Sequence, residues 1–177
     1  MRQLYTFDVR DYEGITQTKS RTAIRAIIIQ HNKLAMIKST TFMECKFPGG
    51  GLEMNETHEQ CLMREVKEET GLTLLSSTMI PFGWIKEKRK DSFHDHQIFE
   101  MTSYYYLAQV SHDIHPSNLD DYEKQYGYHM VWLSLDEAIH QNEQALVLHR
   151  DVATWIEREL FVLKCIKQEG LMNIDHS

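Results

Sequence analysis

Glu65, Glu68 and Glu69 stand within one short stretch, closely preceded by Phe47-Pro48-Gly49-Gly50-Gly51. On a helix, Glu65 and Glu69 are four positions apart and Glu65 and Glu68 three, so all three lie along one side. Like charges at these spacings cost a helix about 0.2–0.5 kcal/mol per pair, and Arg64, four residues before Glu68, offsets part of that cost. One outcome of such a pattern is a solvated acidic face. The other is a site for a hard divalent cation. Mg²⁺ takes carboxylate and carbonyl oxygens and keeps water and substrate phosphates as further ligands. Glycine carbonyls leading into a carboxylate helix offer both oxygen types.

The residues around these glutamates predict how they are held. Pro48 lacks a backbone donor and the glycines reach angles closed to other residues, so 47–51 reads as a loop that lets backbone approach a ligand. Thr57 and Gln60 have the spacing of a capping box, which starts a helix at Thr57. Gly71 suits the left-handed position just past its last turn. The helix between them has roughly thirteen residues. Leu62 and Val66, four apart, face the core.

Gly50, Glu56, Arg64, Glu65, Val66, Glu68, Glu69, Gly71 and Leu72 fill every fixed position of the pattern G-x5-E-x7-R-E-U-x-E-E-x-G-U, with U a bulky apolar residue. In this the stretch resembles the Nudix box. The resemblance implies an α/β/α sandwich with a mixed central sheet and the box helix against it. It also implies hydrolysis of a nucleoside diphosphate linked to another group. By this resemblance Glu65, Glu68 and Glu69 are ligands of Mg²⁺, with Mn²⁺ as a substitute, and the Gly49 carbonyl is a further ligand. Glu65 or Glu68 orients or deprotonates the attacking water. Glu56 and Arg64 tie loop to helix, and Gly50 and Gly71 shape its two ends. A further carboxylate outside the box is expected at Glu123, with Glu100 as its alternative. The substrate signatures for ADP-ribose, NADH and coenzyme A are not matched, which lowers those subclasses without excluding them and makes a nucleoside triphosphate, plain or modified, going to monophosphate and pyrophosphate the default. Two other readings stand beside this one: a non-catalytic Nudix-fold nucleotide sensor, and a pyrophosphohydrolase of RNA 5′ ends.

At 177 residues the chain reads as one domain, and 42% hydrophobic residues suffice for a core. A net charge of −7 argues against broad nucleic-acid binding but not against a phosphorylated small molecule bridged by metal. The longest apolar runs fall short of a membrane span. The alternating start, Met1 to Asp8, lacks the pattern of a signal peptide. Cys45, Cys61 and Cys165 are odd in number and unpatterned, as in a cytoplasmic protein with small core or surface thiols.

Along the chain, residues 1–20 read as a strand (Gln3–Val9) and arm. Residues 21–148 form the hydrolase domain, and 149–177 a C-terminal helix and tail, packed on the sheet or building a homodimer. Thr22–Gln30 and Leu34–Lys38 form a hairpin about His31-Asn32. Glu44–Phe47 is a short strand, Glu87–Ser92 a charged loop, Gln97–Val110 the central strand, and Ser111–Tyr122 a polar loop. A strand follows at Tyr126–Leu133, then a short helix from Ser134 through Ile139, and a longer one capped by Asp151. Arg25 is a candidate phosphate contact. Phe47, Phe82 and Trp84 are candidates to stack on a base. His94-Asp95-His96 has ligand-like spacing but reads as loop.

Overall fold

In the computed structural model, residues 1–91, 94, 96–149 and 155–173 are described. Strands β1 (Gln3–Asp8), β2 (Gln17–Gln30), β3 (Lys33–Lys38), β4 (Cys45–Lys46) and β5 (Gly49–Gly51) lead into helix α1 (His58–Thr70). Then come β6 (Leu72–Leu74), β7 (Ile80–Lys90), β8 (Gln97–Ala108), β9 (Val110–Ile114), α2 (Asp121–Gln125), β10 (His129–Leu133), α3 (Leu135–His149) and α4 (Trp155–Glu169).

The main sheet runs β1-β7-β8-β2-β3-β10, with β5 also on β2 and β4 also on β3. It is mixed: β1/β7 and β2/β8 are parallel and the other pairings antiparallel. Side chains alternate across a strand, so β2 feeds two cores. Ile24, Ala26 and Ile28 pack with Cys61, Leu62 and Val66 of α1. Ile27 packs on the other face with Ala138 and Ile139 of α3 and Leu160, Leu163 and Ile166 of α4. Helices thus cover both faces, as the sequence implies.

The β2–β3 turn falls where expected, with His31 and Asn32 both at positive φ (48° and 58°). Elsewhere elements run further than the sequence reading. Residues 87–90, expected in a loop, continue β7 and stay paired with β8 to Lys90 opposite Ile98. The charged side chains there alternate between the two faces, and a paired strand tolerates them. Residues 111–114, expected in a polar loop, form β9 together with Val110, expected at the end of the central strand, and β9 pairs with β6. The helix expected to stop at Ile139 continues to His149. β2 starts at Gln17, because β8 offers it a parallel partner from Gln97 onward. Asp151, the expected cap of the last helix, lies outside the described residues. α4 covers the sheet, and its buried stripe completes the second core.

Short β4 is held from the side by α3. Asn142 is fully buried, accepts the Cys45 N–H at 2.7 Å and donates to the Cys45 carbonyl at 2.9 Å. Asn142→Ala leaves both backbone groups without partners. It should cost about 2–4 kcal/mol in urea unfolding; a loss below 0.5 kcal/mol, on the order of an exposed change, would contradict this role.

Candidate active site

The glycine run is a strand, not the expected loop. Gly49, Gly50 and Gly51 pair antiparallel with Arg25, Ile24 and Ala23 of β2. One of the glycines is required by backbone contact, and a second leaves room for a carboxylate. Gly49 has φ +136°, and a Cβ there would lie 2.1 Å from the Ile24 carbonyl oxygen. A Cβ on Gly50 would lie 2.4 Å from a Glu65 carboxylate oxygen. The helix therefore lies against bare backbone.

α1 has the predicted ends. Thr57 accepts the Gln60 N–H, Gln60 Oε1 accepts the Thr57 N–H at 2.9 Å, and Gly71 closes the helix at φ 73°. Between them, each box glutamate has a cationic partner. Glu69, 2% exposed, accepts the Gly49 N–H at 2.7 Å and pairs with Lys46 at 2.8 Å. Lys46 also lies 4.3 Å over the Tyr128 ring. Arg64 bonds Glu65 at 2.7 Å and Glu68 at 3.3 Å, and its Nη2 donates to the Gly51 carbonyl at 3.3 Å. Its Nε and Nη2 grip Glu56 at 2.9 and 3.0 Å. The tie between Glu56 and Arg64 is thus present.

A cleft of about 440 Å³ opens beside the glycine strand, bordered by Glu65, Glu69, Arg21, Lys46, Arg89 and Tyr128 among others. A second space of about 500 Å³, sharing Arg21, Gly51, Glu65 and Asp120 with the first, continues it past Arg64 and Glu68. The donor chemistry suits a hard cation: carboxylates of one helix face the cleft, and the missing Cβ of Gly50 leaves room for the Glu65 carboxylate. As they stand, Lys46 and Arg64 supply the compensating charge, and among the described residues no three His, Cys, Asp or Glu side chains are already gathered as a metal cluster.

Other expected residues fall differently. Phe47 is wholly buried, edge-on to Tyr105 at a centroid distance of 5.7 Å, so it offers no face to a base. Phe82 is core, and neither it nor Trp84 borders the cleft. Arg25 borders the cleft, but its guanidinium donates to the Phe47 and Gly49 carbonyls at 3.3 and 3.4 Å and pairs with Glu159 at 3.5 Å. It braces the loop before β5. Glu123 lies on α2, with its side chain outside the described residues. Glu100 pairs with Lys86 at 2.9 Å and does not border the cleft. Asp95 is outside the described residues, and His94 lies 3.4 Å from Asp91. Burial pushes the Cys45 and Cys61 thiols up to about 12, as for inert core thiols.

Sequence reasoning missed Asp120, Phe99, Met101, Trp155 and Arg158, which all border the cleft. Alternation along β8 puts Phe99 and Met101 on one face and was a usable signal. Nothing local in the sequence brings α4 to this place.

A carboxylate helix lies against a glycine strand at the edge of a mixed sheet covered by helices on both faces. The sequence matches the NUDIX domain over residues 19–156, and the chain belongs to that family. It is 45% identical over 53 residues to an ADP-ribose pyrophosphatase of Methanocaldococcus jannaschii, and 51% identical over 35 residues to an 8-oxo-dGTP diphosphatase of Proteus vulgaris. These stretches are 28% and 20% of this chain and 31% of each relative, so the chain spans less than a third of the curated relatives it matches. A NUDIX hydrolase from Nitrosomonas europaea shares the fold with a TM-score of 0.57 at 23% identity, over 86% of this chain and 90% of that one. A MutT NUDIX hydrolase from Burkholderia pseudomallei does so at 0.50 and 21%, over 67% and 85%. Among the described residues no helix is long and apolar enough to cross a membrane.

The Arg64 guanidinium holds the Glu56 carboxyl down at about 2, from an ordinary 4.5. A depressed carboxyl stabilises the fold above its unfolded pKa and loses that contribution as pH falls through the folded one. Glu56→Gln should therefore destabilise the protein by about 1–3 kcal/mol at neutral pH. The gap to wild type should shrink below pH 4.5 and close near 2. Thermal melts across that range check this; a gap independent of pH would contradict it.

Proposed function

We propose that the protein hydrolyses the diphosphate linkage of a nucleoside diphosphate derivative with the help of Mg²⁺. Its substrate class is a nucleoside triphosphate, plain or modified, released as monophosphate and pyrophosphate. The observation that carries this reading is the placement of Glu65 and Glu69 beside the glycine strand, on a cleft whose other walls bear Arg21, Lys46 and Arg89. Carboxylates alone would repel a polyphosphate; carboxylates with a divalent ion and flanking cations attract one. The two relatives, an ADP-ribose pyrophosphatase and an 8-oxo-dGTP diphosphatase, are also named for a diphosphate linkage in a nucleotide.

Glu65, Glu68 and Glu69 would hold the ion, with the Gly49 carbonyl, which now accepts from Arg25, as a further oxygen. When bound, the ion supplies charge neutralisation on the phosphate oxygens and acidifies water. The chain's own residues do the rest. Glu65 or Glu68 takes the proton of the attacking water. Lys46 and Arg21, on the cleft wall, would receive phosphate oxygens. Arg64, anchored on Glu56, keeps the helix side chains in their rotamers.

A panel of nucleoside triphosphates, ADP-ribose and nucleotide sugars, assayed for pyrophosphate and monophosphate release, tests the reading. Turnover with Mg²⁺ that stops on adding chelator is the expected result. Glu69→Gln keeps an acceptor for the Gly49 N–H, and Lys46 keeps the Tyr128 ring face. Circular dichroism should show it folded, with turnover reduced about 100-fold or more. Full activity in that variant would overturn the assignment.

A further inference from the structure

The end of the cleft away from α1 has a chemistry of its own. β7, β8 and β2 lie in register there, with Glu87 opposite Met101, Met101 opposite Arg21, and Arg89 opposite Phe99. Alternation puts these side chains on the α4 side of the sheet, where Trp155 and Arg158 of α4 join them at the cleft. From β5 across β2 and β8 to β7 is three strand spacings, about 14 Å. That span separates Glu87 from the glycine strand and leaves room for a ribose and a base.

Glu87 has a side chain 9% exposed. Arg158 holds its Oε2, while its Oε1 has no hydrogen-bond partner among the described residues. Arg158 is in turn clamped on Glu159 Oε1, through Nε at 3.1 Å and Nη2 at 2.7 Å, and Glu159 also pairs with Arg25. Two arginines and two glutamates thus balance in charge. What Glu87 has left to offer is hydrogen-bond acceptance, not net charge for a second cation. A carboxylate so buried, beside an apolar floor of Phe99 and Met101, is costly unless a ligand brings donors.

We propose that Glu87 is a specificity-determining residue that selects guanine nucleotides, accepting the ring N1–H and the 2-amino group of the base. This rests on the nucleotide reading given above. A carboxylate is an acceptor only, and it is best matched by two donors side by side. Guanine presents that pair. Adenine and cytosine place a ring acceptor beside their amino group, and uracil sets its single N–H between two carbonyls. Phe99, Met101 and Trp155 supply the apolar surface for the base plane.

The test is the ratio of kcat/KM values for GTP, ITP, ATP, CTP, UTP and dGTP with Mg²⁺. Wild-type protein should favour GTP over ATP, CTP and UTP by roughly 10- to 100-fold, the worth of hydrogen bonds to a charged group. ITP, which lacks the 2-amino group, should fall between, and dGTP should match GTP. In Glu87→Gln the GTP-to-ATP ratio should collapse toward unity. The wild-type order of preference stands as a test even where that variant does not fold. Equal use of all bases, or a loss confined to dGTP that marks a ribose contact, would overturn the proposal while leaving the hydrolase reading in place. Where no triphosphate is turned over, calorimetric titration with GTP and ATP decides. Preference for GTP keeps the assignment and overturns only the hydrolysis; equal affinities overturn the assignment.

Discussion

The carboxylate of Glu69 fixes helix, glycine strand and cleft to one another. One oxygen takes the Gly49 N–H and the other the Lys46 ammonium, and the carboxylate itself is almost wholly buried. The bond to Gly49 exists only because that residue can hold φ +136° with its Cα against the backbone of β2. β5, β2 and α1 are therefore mutually dependent. A side chain at Gly49 would push β5 from β2, and the loss of Glu69 would free β5 from α1.

Charge balance follows from that arrangement. Three glutamates on one helix face repel, and the fold answers with Arg64 on one side and Lys46 on the other. Glu56 also holds Arg64, so the arginine has a partner besides the two helix glutamates. Deeper in, α4 adds a second balanced group. Burial pushes the Glu159 carboxyl up, but Arg25 and Arg158 outweigh it and hold the group below its ordinary range. Glu159 also accepts the Phe47 N–H at 3.1 Å, which ties the C-terminal helix to the loop that feeds the glycine strand.

The helix was the most legible element. Its limits are encoded by neighbours in sequence, Thr57 with Gln60 and Gly71 with the last turn, and its core face by Leu62 and Val66. The β2–β3 hairpin was legible for the same reason, because His31-Asn32 is a local signal. What failed depends on partners distant in the chain. Three glycines read as a loop because their intrinsic preference is loose, yet β2 offers them a ladder. The charged end of β7 and the polar β9 are strands because β8 and β6 pair with them. Phe47 next to a glycine run suggested an exposed ring, but Glu159 and Arg25 hold its backbone from the α4 side and bury the ring against Tyr105. The far wall of the cleft was invisible because Trp155 and Arg158 arrive from α4, which starts at Trp155 while β8 ends at Ala108.

The central claim is that the α1 carboxylates exchange their cationic side-chain partners for a divalent ion. Electron paramagnetic resonance of free Mn²⁺, titrated with protein, measures this without any substrate. Wild-type protein should remove Mn²⁺ from solution, and the folded double variant Glu65→Gln/Glu69→Gln should leave it free. Equal Mn²⁺ binding by the two proteins would contradict the account.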